Sequence, residues 1–312
     1  MPYYLGIDGG GSKTTCAIGD ATALLATATA GPSNIVRVGE ARARESLHEA
    51  VRQACAAAGI NPRQIEGTCI GASGGGREKT ANLIRKILAE ILRGEIKVVG
   101  DTEVALEAAF AEGPGVIVIA GTGSIAYGRN QQRTTARAGG WGFAISDEGS
   151  AHWIGRAALS AVLRARDEHP GQDHPLLPEF LKAWNLADWE DLIRKANFHG
   201  ENTALHAPNF AAFFPAVLAA AQAGDITAKH VLASAAGELS RLAGIVVTRL
   251  FSGAGSTAPV PMAMAGGVFR HSQSVRQLFY NEVLKAHPQV ALHSEVVEPV
   301  HGALQMARRG AS

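Results

Sequence analysis

The chain opens on a pattern that a tight β-hairpin accommodates best. Tyr3-Tyr4-Leu5-Gly6-Ile7 is strand material, and Asp8-Gly9-Gly10-Gly11-Ser12 is an acid followed by three glycines and a hydroxyl. Thr14-Thr15-Cys16-Ala17-Ile18 is strand material again. Glycines let the backbone turn sharply and bring its N–H groups against a ligand with no side chain between. An acid at the mouth of such a loop repels phosphate but suits the magnesium that accompanies a nucleotide. Asp8 is therefore a candidate metal residue, and Gly10, Gly11 and Ser12 are candidate phosphate contacts. The alternative reading is an ordinary hairpin at a sheet edge.

Two other glycine loops do not fit. A P-loop needs Gly-Lys-Ser/Thr opening a helix, whereas Ser12 separates Gly11 from Lys13 and β-formers follow. A dinucleotide fingerprint spaces its glycines and leads into a helix, whereas Gly9 to Gly11 are contiguous and lead into a strand.

The pattern recurs. Val116-Ile117-Val118-Ile119-Ala120, Gly121-Thr122-Gly123-Ser124 and Ile125-Ala126-Tyr127-Gly128 again read strand, glycine–hydroxyl turn, strand, after a Gly113-Pro114-Gly115 break. This predicts a duplicated fold with one phosphate loop per half. Around the first copy, periodicity predicts strands over 3–7, 15–19, 24–28, 67–71 and 96–99 and helices over 40–58, from Leu83 to Ile91, and 102–111. That order implies a mixed sheet with covered faces. The second half reads as helices over 150–165, 176–196, 208–223 and 226–252, with a flexible loop over 252–261. A strand into Gly266-Gly267 follows, then a helix from Ser272, a strand over 290–297 and a short helix over 302–309. Paired glycines before a helix suit the adenosine or phosphate side of a nucleotide.

At 312 residues the chain exceeds the usual span of one core, so two domains are expected. A net charge of +1 without any basic run argues against a nucleic-acid partner. Apolar runs look strand-sized and the first residues lack an export signal, which predicts a cytoplasmic protein with no membrane span. The three cysteines, Cys16, Cys55 and Cys69, are scattered and suit small buried side chains.

The ordered set Asp8-Gly-Gly-Gly-Ser, Gly121-Thr-Gly-Ser and Ala265-Gly-Gly-Val resembles the two phosphate motifs and the adenosine motif of the sugar kinase, actin and heat-shock chaperone superfamily. Gly139-Gly140-Trp141-Gly142, with Asp147-Glu148-Gly149-Ser150-Ala151-His152-Trp153-Ile154-Gly155, resembles the N-acetylglucosamine kinase branch and the related activator ATPases of anaerobic acyl-CoA enzymes. The resemblance covers nearly the whole chain. It implies an α/β protein of two actin/hexokinase-like lobes, duplicated ribonuclease H-like units with a nucleotide cleft between them. The lobes would be 1–114, completed by 298–312, and 115–297.

The resemblance further implies ATP and Mg2+ as cofactors, a homodimer, and an amino sugar as substrate, N-acetylglucosamine first, with glucosamine or N-acetylmuramic acid as alternatives. Asp8 would sit near magnesium, with Gly10, Gly11 and Ser12 at the terminal phosphates and Thr122 and Gly123 gripping phosphate from the other lobe. Asp101 would be the base that accepts the proton of the sugar's 6-hydroxyl. Asn34, Ser73, Gly140, Trp141 and Asp147 would line the sugar pocket, and Gly266, Gly267 and Arg270 would border the adenine side.

Local chemistry leaves alternatives open. Asp101 could cap the helix that follows it, with Glu103 in support, and Asp147 could cap the next. Gly71-Ala72-Ser73-Gly74-Gly75 formally matches a hydrolase nucleophile motif. Three functions compete: an amino-sugar kinase, an ATPase that drives electron transfer to a partner through a cysteine-held cluster, and a serine hydrolase. Only the first accounts for Asp8, the second glycine loop and Gly266-Gly267 without a further cysteine.

Overall fold

A computed structural model describes residues 2–197, 208–252 and 258–310. The chain divides into two compact units, Met1–Ile117 with Val297–Ser312, and Val118–Val296.

The first unit is built on β1 (Tyr3–Gly9), β2 (Thr14–Gly19), β3 (Leu24–Ala30), β4 (Ile65–Ala72) and β5 (Glu95–Gly100), in the order β3-β2-β1-β4-β5. The β1–β2 and β2–β3 pairs are antiparallel, and β1–β4 and β4–β5 are parallel. Because side chains alternate along a strand, one face of the sheet carries Leu5, Ile7, Cys16 and Ile18. These pack with Leu47, Val51 and Ala54 of α1 (Ile35–Ala58) and Ile84, Ile87 and Leu88 of α2 (Glu78–Ala89). The other face carries Tyr4, Ala17, Cys69 and Val99, covered by Val104 of α3 (Asp101–Phe110) and by Val300, Ala303 and Leu304 of α11 (Pro299–Gly310). Close approach of α11 requires glycine at two points. A Cβ on Gly6 would lie 2.3 Å from the Leu304 nitrogen, and one on Gly302 would lie 2.1 Å from the Val104 carbonyl oxygen.

The second sheet comprises β6 (Gly115–Ala120), β7 (Ser124–Arg129), β8 (Thr135–Gly139), β9 (Val260–Ala265) and β10 (Val290–Val297), in the order β10-β9-β6-β7-β8. Read from β8, this is the plan of the first sheet, with β6 in the place of β1. The duplication expected from the two glycine loops is therefore present in the strand order.

Between the strands run α4 (Ala151–Glu168), α5 (Leu176–Trp184), α6 (Trp189–Asn197), α7 (Phe214–Gln222), α8 (Ile226–Phe251), α9 (Gly267–His271) and α10 (Gln273–Ala286). Contrary to the expectation of strand-sized apolar runs, α8 is long and apolar enough to cross a membrane by length and composition alone. More than half of that stretch is buried within the protein. Val231, Leu232, Leu239, Leu242 and Val246 form its buried side.

Several boundaries differ from the sequence reading. β8 was not expected, because Thr-Ala-Arg-Ala-Gly has little β character of its own. The helix expected over 40–58 begins at Ile35 and is broken at Gly39, whose φ of 77° no L residue adopts easily. The helix expected over 176–196 is two, α5 and α6, because Asn185 ends the first in a left-handed conformation with φ 53°. The segment 208–223 starts as a 3₁₀ turn, Phe210–Phe213, before α7. The short α9 precedes α10, and the final helix starts at Pro299. Residues 253–257 of the expected loop lie outside the described residues.

Candidate active site

Three adjacent parallel strands of the first unit end together. Gly9 of β1 is in register with Ala72 of β4, and Ala72 with Gly100 of β5. Asp8, Ser73 and Asp101 therefore share the C-terminal edge of β1, β4 and β5, the edge at which ligands of open α/β sheets collect.

The first glycine loop is closed and braced. The Gly10 amide donates to the Lys13 carbonyl at 3.0 Å, and the Ser33 amide donates to the Gly10 carbonyl at 3.2 Å. The hydroxyl of Thr14, fully buried, lies 2.8 Å from both the Gly31 carbonyl and the Ser33 hydroxyl. A buried polar network of this kind is stabilising only when satisfied, and here it fixes the Gly31–Asn34 loop beside Gly10. Gly10 thus uses its own amide in the turn. Lys13, past the turn, is exposed.

Asn34 caps α1, its side chain accepting from the Arg37 amide at 3.2 Å. Its oxygen is engaged there, which leaves the Nδ2 donors as the part that can serve a ligand. Ser73 lies in a turn over 73–76, ahead of α2 at Glu78, and so does not stand at a sharp strand-to-helix elbow.

Asp101 is not the N-cap of α3. Gly100 occupies that position, and Glu103 reaches back to accept from its amide at 3.0 Å. The Asp101 carboxylate accepts from the Thr102 amide at 2.9 Å. Although the residue keeps some exposure, the protein around its carboxyl raises the pKa above the ordinary carboxylate value. Burial is the main cause; backbone N–H groups partly oppose it and Glu103 adds to it. A carboxylate held this way is a better proton acceptor than one free in water.

The second unit gathers the other expected residues. Gly266, with φ 98°, approaches the second glycine loop so closely that a Cβ there would lie 2.3 Å from the Ala120 carbonyl oxygen and 2.9 Å from the Gly121 nitrogen. Gly266-Gly267 and Gly121-Thr122-Gly123 therefore meet. Arg270 sits on α9, its amide donating to the Gly266 carbonyl at 3.1 Å, and Arg276 donates to the Arg270 carbonyl at 3.1 Å.

Gly140, with φ 69°, packs its Cα against Ile125. Trp141 is 67% exposed, with the Arg137 guanidinium 4.0 Å from its ring centre. Asp147 is not a helix cap either. Ser150 caps α4, its hydroxyl accepting from the Trp153 amide at 3.1 Å. Asp147 is buried, has a left-handed φ of 63°, and lays its carboxylate against Gly123. Sequence reasoning missed the supports: Thr14 with Ser33, Ser124 with Glu148, and Arg137 over Trp141. None of these pairs has a spacing that marks it.

The thiols of Cys16, Cys55 and Cys69 are buried. Burial pushes Cys55 up to about 11 and Cys69 to about 12, and raises Cys16 further still. Such protonated, enclosed thiols are poor ligands for a bridging cluster.

A family description of the BadF/BadG/BcrA/BcrD ATPases matches residues 5–307. The chain belongs to this ATPase family. Among similar family proteins, an N-acetylmuramic acid/N-acetylglucosamine kinase of Clostridium acetobutylicum is 33% identical over 310 residues, 99% of each chain. An N-acetyl-D-glucosamine kinase of Dictyostelium discoideum is 30% identical over 323 residues, 97% of each chain. Among solved structures, a Chromobacterium violaceum protein, provisionally described as an N-acetylglucosamine kinase, superposes with a TM-score of 0.74. It shares 24% identity, over 98% of this chain and 99% of its own. The actin/hexokinase-like fold of the two units is that of this group.

Proposed function

We propose that the protein is an ATP-dependent amino-sugar kinase that transfers the γ-phosphate to the 6-hydroxyl of N-acetylglucosamine, with N-acetylmuramic acid as the alternative acceptor. The observation that carries this reading is the shared strand edge of Asp8, Ser73 and Asp101, with Asp101 held in a setting that raises its proton affinity. The two full-length kinase relatives support the choice of substrate class.

In this reading Asn34, Ser73, Gly140, Trp141 and Asp147 orient the sugar. Asp101 accepts the 6-hydroxyl proton as the oxygen attacks. Gly11, Ser12, Thr122 and Gly123 hold the phosphates, and Gly266, Gly267 and Arg270 border the adenine. Phosphoryl transfer asks little more of a protein than positioning, charge stabilisation and a proton acceptor.

Mg2+ fits the residues present. Magnesium in nucleotide sites takes one or two carboxylates plus phosphate oxygens and water, and Asp8 stands at the strand edge it shares with Asp101. Asp8 would hold it, and the ion would neutralise phosphate charge.

Coupled ADP release with ATP and magnesium tests the reading across N-acetylglucosamine, glucosamine, N-acetylmuramic acid, glucose and no sugar. Strong turnover with an amino sugar is expected, and slow release indifferent to sugar would overturn the reading. The homodimer expected from the resemblance is checked by light scattering on the purified protein.

A further inference from the structure

The second phosphate loop is fastened to the segment that carries Asp147 at three successive points. The first backbone amide of α4, on Ala151, donates to the Gly121 carbonyl at 2.9 Å. The Ser124 hydroxyl donates to the Glu148 carbonyl at 2.6 Å. Between them the Asp147 carboxylate lies over Gly123. Ser124 and Asp147 are both buried, whereas Gly121, Glu148 and Ala151 are half-buried.

The segment itself is rich in left-handed backbone conformations. Gly139, Gly140, Gly142, Asp147 and Gly149 all have positive φ, and Asp147 is not a glycine. For an aspartate that conformation carries only modest strain. With the three fastenings in place, any ligand that shifts Asp147 also shifts the carbonyl of Glu148 and, through Ser124, the loop from Gly121 to Ser124.

We propose that Ser124 is a positioning residue that couples sugar binding at Asp147 to nucleotide binding at Thr122 and Gly123. This rests on the amino-sugar kinase reading. A ligand that shifts Asp147 on binding shifts the loop with it, so the ligand bound first biases the loop for the second. Of the three fastenings, the Ser124 hydroxyl is the one that changing a single side-chain atom removes without altering a backbone group.

The test is calorimetric titration of a non-hydrolysable ATP analogue with magnesium, with and without saturating N-acetylglucosamine. In the unmodified protein the sugar should tighten the analogue about tenfold, within the usual range of coupling between two sites. In Ser124→Ala the factor should fall to about threefold or less, and Ser124→Thr, which keeps the hydroxyl, should restore it. A merely structural loss would lower the melting temperature and weaken both ligands while leaving their ratio alone. If Ser124→Ala does not fold, Ser124→Cys, with a weaker donor of similar size, carries the same measurement.

An alanine variant that keeps the full coupling, or an unmodified protein that binds the two ligands independently, would overturn the proposal while sugar turnover survives. Absence of both sugar binding and sugar turnover across the panel would instead bring down the kinase reading, and this inference with it.

Discussion

The carboxylate of Asp147 occupies the space where a side chain on Gly123 would begin: a Cβ at position 123 would lie 2.7 Å from Oδ2 of Asp147. Gly123 has no positive φ, so its lack of a side chain answers to this contact and not to backbone conformation. Gly123→Ala should therefore displace a buried acid without straining the chain. We expect the KM for ATP to rise about tenfold or more, since a shift near 1 Å in a positioning element can cost 10²-fold in rate. Steady-state kinetics at saturating sugar would show it. Unchanged nucleotide kinetics would mean that the carboxylate can move aside without consequence.

Asp101→Asn should fold normally and lose about 10² to 10⁴ in kcat, the usual contribution of a positioned acid–base group. In the unmodified enzyme the acidic limb of kcat/KM should lie above the ordinary carboxylate range, because burial raises the Asp101 pKa.

The same shift has a stability consequence of opposite sign. A carboxyl whose pKa is raised on folding binds its proton more tightly in the native state. The stability it contributes is complete below the unfolded value of about 3.9 and is lost as pH rises through the folded value. Asp101→Asn should accordingly be at least as stable as the parent at neutral pH, with the advantage gone near pH 4. Thermal melts at the two pH values decide this. A variant that is destabilised only at neutral pH would contradict the sign.

How much of this was readable in advance follows from where the information sits. The hairpins were legible because Asp8-Gly-Gly-Gly-Ser and Gly121-Thr-Gly-Ser are local, as are the strands that flank them. Asp101 and Asp147 were legible as acids after a strand and before a helix, but their local roles were not. Capping fell to Gly100 with Glu103 and to Ser150, because a cap is set by the φ/ψ of one residue, and several neighbours could supply it. β8 was hidden because the pairing of Thr135–Gly139 with β7 forms it, not its own composition. The Ser124–Glu148 bond spans 24 residues and leaves no periodic trace.

The three cysteines should be silent towards a thiol reagent in the native protein. All are buried, and burial raises each pKa, so little thiolate forms at neutral pH. Titration with Ellman's reagent should find essentially no fast-reacting thiol until denaturant is added, and then all three. A fast-reacting thiol in the folded state would reopen the electron-transfer reading.

Gly302→Ala should destabilise the protein by about 1–3 kcal/mol or more, the usual range for overpacking. The added methyl would meet the Val104 carbonyl at 2.1 Å and the Ala108 nitrogen at 2.5 Å, both backbone of α3. Since α3 begins at Asp101, activity should fall further than unfolding alone explains. Urea denaturation and kcat on the same samples separate the two effects.

That helix also sets an order of events during synthesis. The unit that holds Asp8 and Asp101 needs residues 297–310 to cover one face of its sheet, whereas Val118–Val296 is contiguous. On a ribosome, the half made first must wait with Tyr4, Cys69 and Val104 uncovered until residues 297–310 have emerged, while the contiguous half can close before them. The acid that would draw the proton is thus seated by a stretch that emerges only after the whole of the second unit. A polypeptide stalled before residue 297 would carry a closed second unit beside a first unit with one sheet face uncovered, a species exposed to chaperones and proteases.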